Sequence, residues 1–138
     1  MTVCLDTNVL IQMFGGQARW KPLRDALFLG RLEWAISTSI MMEYEEIVCE
    51  RMGARRWAQV AAFVDFLAEV RGTLRQVEPS FQFRVIFHDA DDNKFTDCAI
   101  AAQADFVITE DGHFAPLENA GYRPKPISPE EFLHRYLR

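Results

Sequence analysis

Apolar residues gather in short runs that alternate with helical patterns. Val3-Cys4-Leu5 reads as a short buried strand, followed by a polar Asp6-Thr7-Asn8 turn that offers N-cap chemistry. A helix over about Val9 to Phe14 then stops at Gly15-Gly16. Pro22 to Leu29 reads as a second helix, with Pro22 in its first turn and Gly30 at its end. Leu32 to Ile36 is the next strand. Ser37-Thr38-Ser39 supplies capping hydroxyls for a helix from about Ile40 to Met52, stopped by Gly53. The clearest helix spans Ala54 to Val70, where Trp57, Val60, Ala61, Val64, Leu67 and Ala68 recur at helical spacing.

The second half continues the alternation. Thr73 to Val77 predicts a strand, and the aromatic segment Phe81 to Phe87 an extended stretch. His88 to Asn93 is a polar, acidic turn before an Ala-rich helix, Lys94 to Gln103. Phe106 to Thr109 is a strand, Glu110-Asp111-Gly112 a turn, and Phe114 to Asn119 a short helix. Lys125 to Ile127 is the last strand, and Ser128-Pro129-Glu130-Glu131 opens the last helix as a capping box. Strands alternating with helices predict an α/β fold, its parallel sheet covered on both faces.

Composition changes this picture little. A chain of 138 residues, 49% apolar and 25% charged, suits one globular domain over residues 1–138. No apolar run is long enough to span a bilayer, and the chain opens into a strand with no basic leader, so the expected compartment is the cytoplasm. Cys4, Cys49 and Cys98 have neither zinc spacing nor an even count, and Cys4 and Cys98 read as small core residues. The net charge of −5 disfavours a generic nucleic-acid surface. A divalent cation in an acidic crevice would reverse the local field, so the charge does not exclude nucleic acid.

Four acids stand where a buried carboxylate needs a reason. Asp6 ends the first strand and Asp111 follows the strand at Phe106, while Glu43 and Asp97 sit near the starts of apolar-rich helices. In an open α/β sheet the carboxyl ends of the strands and the adjoining helix starts form the ligand crevice. Carboxylates converging there resist ionisation unless a cation joins them, and an all-oxygen set suits Mg²⁺ or Mn²⁺. Each acid also has a plainer reading: Asp6 as an N-cap, Glu43 as one solvated acid beside Glu45 and Glu46, Asp97 as a first-turn helix acid and Asp111 as a turn residue. Taken as a set they favour the metal reading.

Four segments resemble the PIN-domain nucleases, especially the group that contains bacterial VapC-type toxins. They are Cys4-Leu-Asp-Thr-Asn-Val-Leu10, Ser37-Thr-Ser-Ile-Met-Met-Glu43, Asp89 to Ala102 with its Asp-Asp-Asn-Lys run, and Ala104-Asp-Phe-Val-Ile-Thr-Glu-Asp111 leading to Phe114. The resemblance implies a three-layer α/β/α sandwich around a mainly parallel sheet of about five strands. It implies an acidic quartet of Asp6, Glu43, Asp97 and Asp111 that holds Mg²⁺ or Mn²⁺, with Asp92 as an additional acid. Asn8 and Thr109 would orient the carboxylates. Lys94, Arg19 and Lys21 are offered as contacts for substrate phosphate.

The activity so implied is metal-dependent cleavage of single-stranded RNA, leaving a 5′-phosphate and a 3′-hydroxyl, in the toxin of a toxin–antitoxin pair. An antitoxin partner and a homodimer come with that resemblance. The alternatives are a PIN-like module that binds RNA or protein without cutting, and a housekeeping RNA-processing nuclease. A haloacid-dehalogenase-like phosphatase would want an Asp where Asn8 stands, and a receiver domain would want its acceptor Asp after a middle strand. His88, His113 and His134 read as surface or capping residues. Trp20, Trp34, Trp57 and the Phe81 to Phe87 segment read as core or interface rather than base-stacking platforms. Arg55-Arg56 reads as a solvated helix start.

Overall fold

The computed structural model of the chain describes residues 1–79, 93–111, 114 and 124–137. Five strands form one all-parallel sheet: β1 (Thr2–Leu5), β2 (Glu33–Ile36), β3 (Leu74–Gln76), β4 (Phe106–Ile108) and β5 (Lys125–Ile127). Their spatial order is β3-β2-β1-β4-β5. The sheet grows from β1 to one edge, then returns to the other side of β1 with β4. The reversal lies between β1 and β4, paired Val3 to Phe106 and Leu5 to Ile108. The described helices are α1 (Thr7–Phe14), α2 (Lys21–Phe28), α3 (Thr38–Met52), α4 (Ala54–Phe66), α5 (Asn93–Ala101) and α6 (Pro129–Tyr136). They flank the sheet in the three-layer α/β/α arrangement that the family resemblance implies.

Burial explains the strand composition. All four residues of β1 are buried, as a central parallel strand covered on both faces requires. The last strand carries Pro126, which lacks a ladder donor, and it lies at a sheet edge where that donor is not needed. Cys4 and Cys98 are fully buried in the core. Trp20 and Trp34 are also core residues, and Trp57 packs partly buried against the core. An aromatic run of Trp34, Tyr44, Phe95 and Phe114, with successive ring centroids 6.0, 6.3 and 6.4 Å apart, lies beneath the end of β1. The Tyr44 hydroxyl donates to the Leu5 carbonyl, tying α3 to the last residue of that strand.

Several boundaries differ from the sequence reading. Helix α1 begins two residues earlier, at Thr7, directly against Asp6. A 3-10 turn at Ala18–Trp20, which hydrophobic spacing does not announce, precedes α2. The long helix expected to Val70 is α-helical only to Phe66 and continues as a π turn over Leu67–Arg71. It stops at Gly72, whose φ of 68° is left-handed, where a side chain would be strained. The extended segment at Phe81 to Phe87, the turn residues 88–92 and all of the short helix expected at Phe114 to Asn119 except buried Phe114 lie outside the described residues. Among the described residues no helix is long and apolar enough to cross a membrane.

Candidate active site at the carboxyl ends of the central strands

Asp6 follows β1 at the point where the sheet reverses. Its backbone N–H donates to the Ile108 carbonyl at 3.0 Å, which fixes it to β4 as well as β1. Its carbonyl accepts from Val9 and Leu10 at 3.0 and 3.1 Å, so the chain turns straight into α1. The side chain is 5% exposed. Oδ1 accepts from the Thr7 backbone N–H at 2.8 Å, and Oδ2 accepts from the Thr109 hydroxyl at 2.7 Å. The Thr109 hydroxyl also accepts from the Asp111 backbone N–H at 2.9 Å. That oxygen is therefore held on both sides, and its proton points at Asp6.

Burial raises the Asp6 pKa above the usual carboxylate range. The hydrogen bonds from Thr109 and Thr7 oppose that shift, and the charges of Asp111 and Glu43 add to it. Asp6, Asp111 and Glu43 thus share one electrostatic environment. The sequence pattern alone left Glu43 and Glu46 open, and the contacts separate them. Glu43 accepts from the Thr7 hydroxyl through Oε2 and from the Lys94 ammonium through Oε1 at 2.8 Å. Glu45 and Glu46 face solvent. Helix α3 sets this phase by burying Ile40, Tyr44 and Val48 on its core side.

Asp97 is 8% exposed on α5, between the buried Thr96 and Cys98. Helix α5 packs against both β1 and β4. Asp111 is partly buried just beyond β4. Asp92 lies outside the described residues. Among the described residues, no group of three or more His, Cys, Asp or Glu is close enough to hold a metal ion. The structure therefore joins Asp6, Glu43 and Asp111 in one field but does not draw the quartet into one coordination sphere. The donor chemistry still fits a hard divalent cation. It is all carboxylate and hydroxyl oxygen, and its most buried acid is held towards the neutral form by burial, with the charges of Asp111 and Glu43 adding to the effect.

Thr109 meets Asp6 directly, whereas Asn8 is exposed and accepts from Arg51 at 3.2 Å. Lys94 pairs with Glu43. The two other cations read from the sequence are engaged by other carboxylates: Arg19 with Glu130 at 3.8 Å and Lys21 with Asp25 at 2.6 Å. Thr7, which the sequence reading treated only as a capping hydroxyl, bonds to both Asp6 and Glu43 in this candidate site. Its position beside Asp6 on the first turn of α1 was the available signal. A cleft of about 280 Å³ adjoins the acids, lined by Asn8, Ile11, Gln12, Arg51, Glu110 and Asp111. Gln12 and Arg51 were not singled out by any sequence pattern.

Comparison with known proteins places the fold. No curated protein sequence matches the chain significantly. The structure resembles that of VapBC2 from Rickettsia felis bound to a DNA fragment from their promoter, with a TM-score of 0.62 and 16% identity over 93% of this chain and 98% of that chain. It also resembles FitAcB from Neisseria gonorrhoeae, with a TM-score of 0.58 and 18% identity over 93% and 98% of the two chains. At such identity the likeness is one of fold. The family model described as PIN domain matches residues 2–113, and the chain belongs to the PIN-domain family, whose members are generally nucleases.

Proposed function

We propose that the chain is a metal-dependent endoribonuclease that hydrolyses phosphodiester bonds in single-stranded RNA, and that it serves as the toxin of a toxin–antitoxin pair. The observation that carries this reading is Asp6: a buried acid at the sheet reversal, pushed towards protonation by burial and by Asp111 and Glu43. Burying such a group costs stability, and an acid kept in a crevice at that cost is a candidate for cation or substrate binding.

In this reading Asp6 and Asp97 hold the cation most directly, with Glu43, Asp111 and Asp92 completing the site. A bound Mg²⁺ or Mn²⁺ supplies an activated water and neutralises charge on the phosphodiester. Thr109 fixes the orientation of Asp6. Thr7 fixes Glu43, and Lys94, paired with that carboxylate, stands next to the path of a phosphate. The whole of residues 1–138 acts as one domain in the cytoplasm, as a homodimer, with an antitoxin protein as its regulator. The complexes named VapBC2 and FitAcB support the partner reading by likeness of fold.

The test is cleavage of end-labelled single-stranded RNA with Mn²⁺ or Mg²⁺. Cutting is expected with the wild-type protein, and none with EDTA or with Asp6→Asn. Cutting that survives both controls would remove the proposed site.

A further inference from the structure

We propose that the cleft beside the acids is a base-reading pocket and that guanine is the base it fits. The proposal deepens the nuclease reading and rests on it for the identity of the ligand as RNA. Three observations carry it.

The cleft of about 280 Å³ shares Asp111 with the acidic site, so a nucleotide whose phosphate faces the acids can place its base there. Its polar lining combines donors and acceptors in one small space, with Ile11 as the apolar wall. Gln12 Oε1 is buried and finds no hydrogen-bond donor among the described residues. A buried amide oxygen without a donor destabilises a fold unless something else supplies one.

The pattern of groups selects the base. Arg51 donates through one Nη to Asn8 Oδ1 at 3.2 Å, which orients the guanidinium at the mouth of the cleft. Asn8 then presents its amide N–H groups. An arginine fork is the natural partner of guanine O6 and N7. Guanine also offers N1–H and N2–H donors on its other edge. The acceptors here are the exposed carboxylate of Glu110 and, once the Gln12 side chain turns towards a bound base, the oxygen that otherwise lies buried without a donor. Adenine offers a donor where O6 stands and lacks both N1–H and N2–H. Cytosine and uracil have no N7, so neither can engage the fork on two atoms in this way.

The experiment uses the full chain and a set of uridine oligoribonucleotides with one central G, A or C. Cleavage with Mn²⁺ is followed for the wild type. Binding to the same set is followed by fluorescence anisotropy with Asp6→Asn. The G oligomer is expected to be cut and bound about tenfold better than the A oligomer, the discrimination of one good bidentate contact. Arg51→Met should bring that ratio close to one. Gln12→Leu should lower the ratio and, by removing the orphan oxygen, raise the melting midpoint by about 3 °C. Equal cutting of all oligomers overturns the pocket and leaves the nuclease. If nothing is cut, the nuclease reading fails and binding decides: tighter G binding lost in Arg51→Met supports the pocket, and equal binding overturns it. A uniform loss of affinity in Arg51→Met with an unchanged ratio makes Arg51 a phosphate contact and also overturns it.

Discussion

Three strand-to-helix junctions in this sheet perform the same structural task with different chemistry. Ser37 joins β2 to α3 and its hydroxyl accepts from the Ile40 N–H at 3.2 Å, three residues on. Ser128 joins β5 to α6 and accepts from the Glu131 N–H at 3.1 Å, again three residues on. Both reach the backbone donor that an N-cap normally satisfies. Asp6 joins β1 to α1, yet its carboxylate reaches only the first helical N–H, that of Thr7, and spends its other oxygen on Thr109. Ser37 is as buried as Asp6, at 2% against 5% exposed, and carries no charge there. A neutral hydroxyl is therefore sufficient for the junction. The charge at Asp6 exceeds what the fold needs, and that excess supports the proposed site.

Removing the excess tests the comparison most sharply. Asp6→Ser makes the first junction like the other two. It should lower RNA cleavage at least about a hundredfold while the far-ultraviolet circular dichroism stays native. The same variant should melt about 2–4 °C higher than wild type in EDTA near neutral pH, because a charge no longer has to be buried. Asp97→Asn should lose cleavage to a similar degree with the fold retained. Full activity in both purified variants would break the argument.

Thr109→Val comes next. It leaves Asp6 in place but removes a hydrogen bond that lowers its pKa. Cleavage should fall about 10–100-fold. The acid limb of the pH–rate profile should move to higher pH, since the Asp6 carboxylate becomes harder to form. An unmoved limb would mean that Thr109 does not tune Asp6.

The pH dependence of stability follows from the same shift. The folded pKa of Asp6 lies above its unfolded value, so the folded state binds the proton more tightly. Stability without metal should rise as pH falls through the folded pKa of Asp6, until it reaches the unfolded value. The difference in melting temperature between wild type and Asp6→Asn should close over that window. A constant difference across pH would show that Asp6 titrates as it does in the unfolded chain.

The smallest effect belongs to the neutral junctions. Ser37→Ala should cost about 1 kcal/mol in urea unfolding and leave cleavage per folded molecule unchanged. A large loss of activity there would erase the contrast between the junctions.

Sequence patterning made most of the fold legible, because buried parallel strands appear as short apolar runs and their helices as periodic segments. Leu5 to Asp6 and Ile108 to Asp111 showed where carboxylates would meet if their strands paired. The strand order itself comes from tertiary packing and leaves no mark on local spacing. The π turn at Leu67–Arg71 was hidden because its apolar residues keep an almost helical period. The phase of Glu43 against Glu46 depends on which side of α3 faces the core, and Tyr44, a polar-tipped core residue, obscures that side. Thr7 and Arg51 were missed for a simpler reason: their partners, Glu43 and Asn8, are each far from them in the chain.

The hydrogen bond from Thr109 to Asp6 spans 103 positions of sequence. During translation the first half of the site is made well before the second. At about 5–20 residues per second, roughly 5–20 s separate the synthesis of the two. Until β4 is made, β1 lacks one neighbour in the sheet and Asp6 lacks Thr109. On the proposed function, a chain built in this order cannot cut RNA before Thr109 and Asp111 have been made.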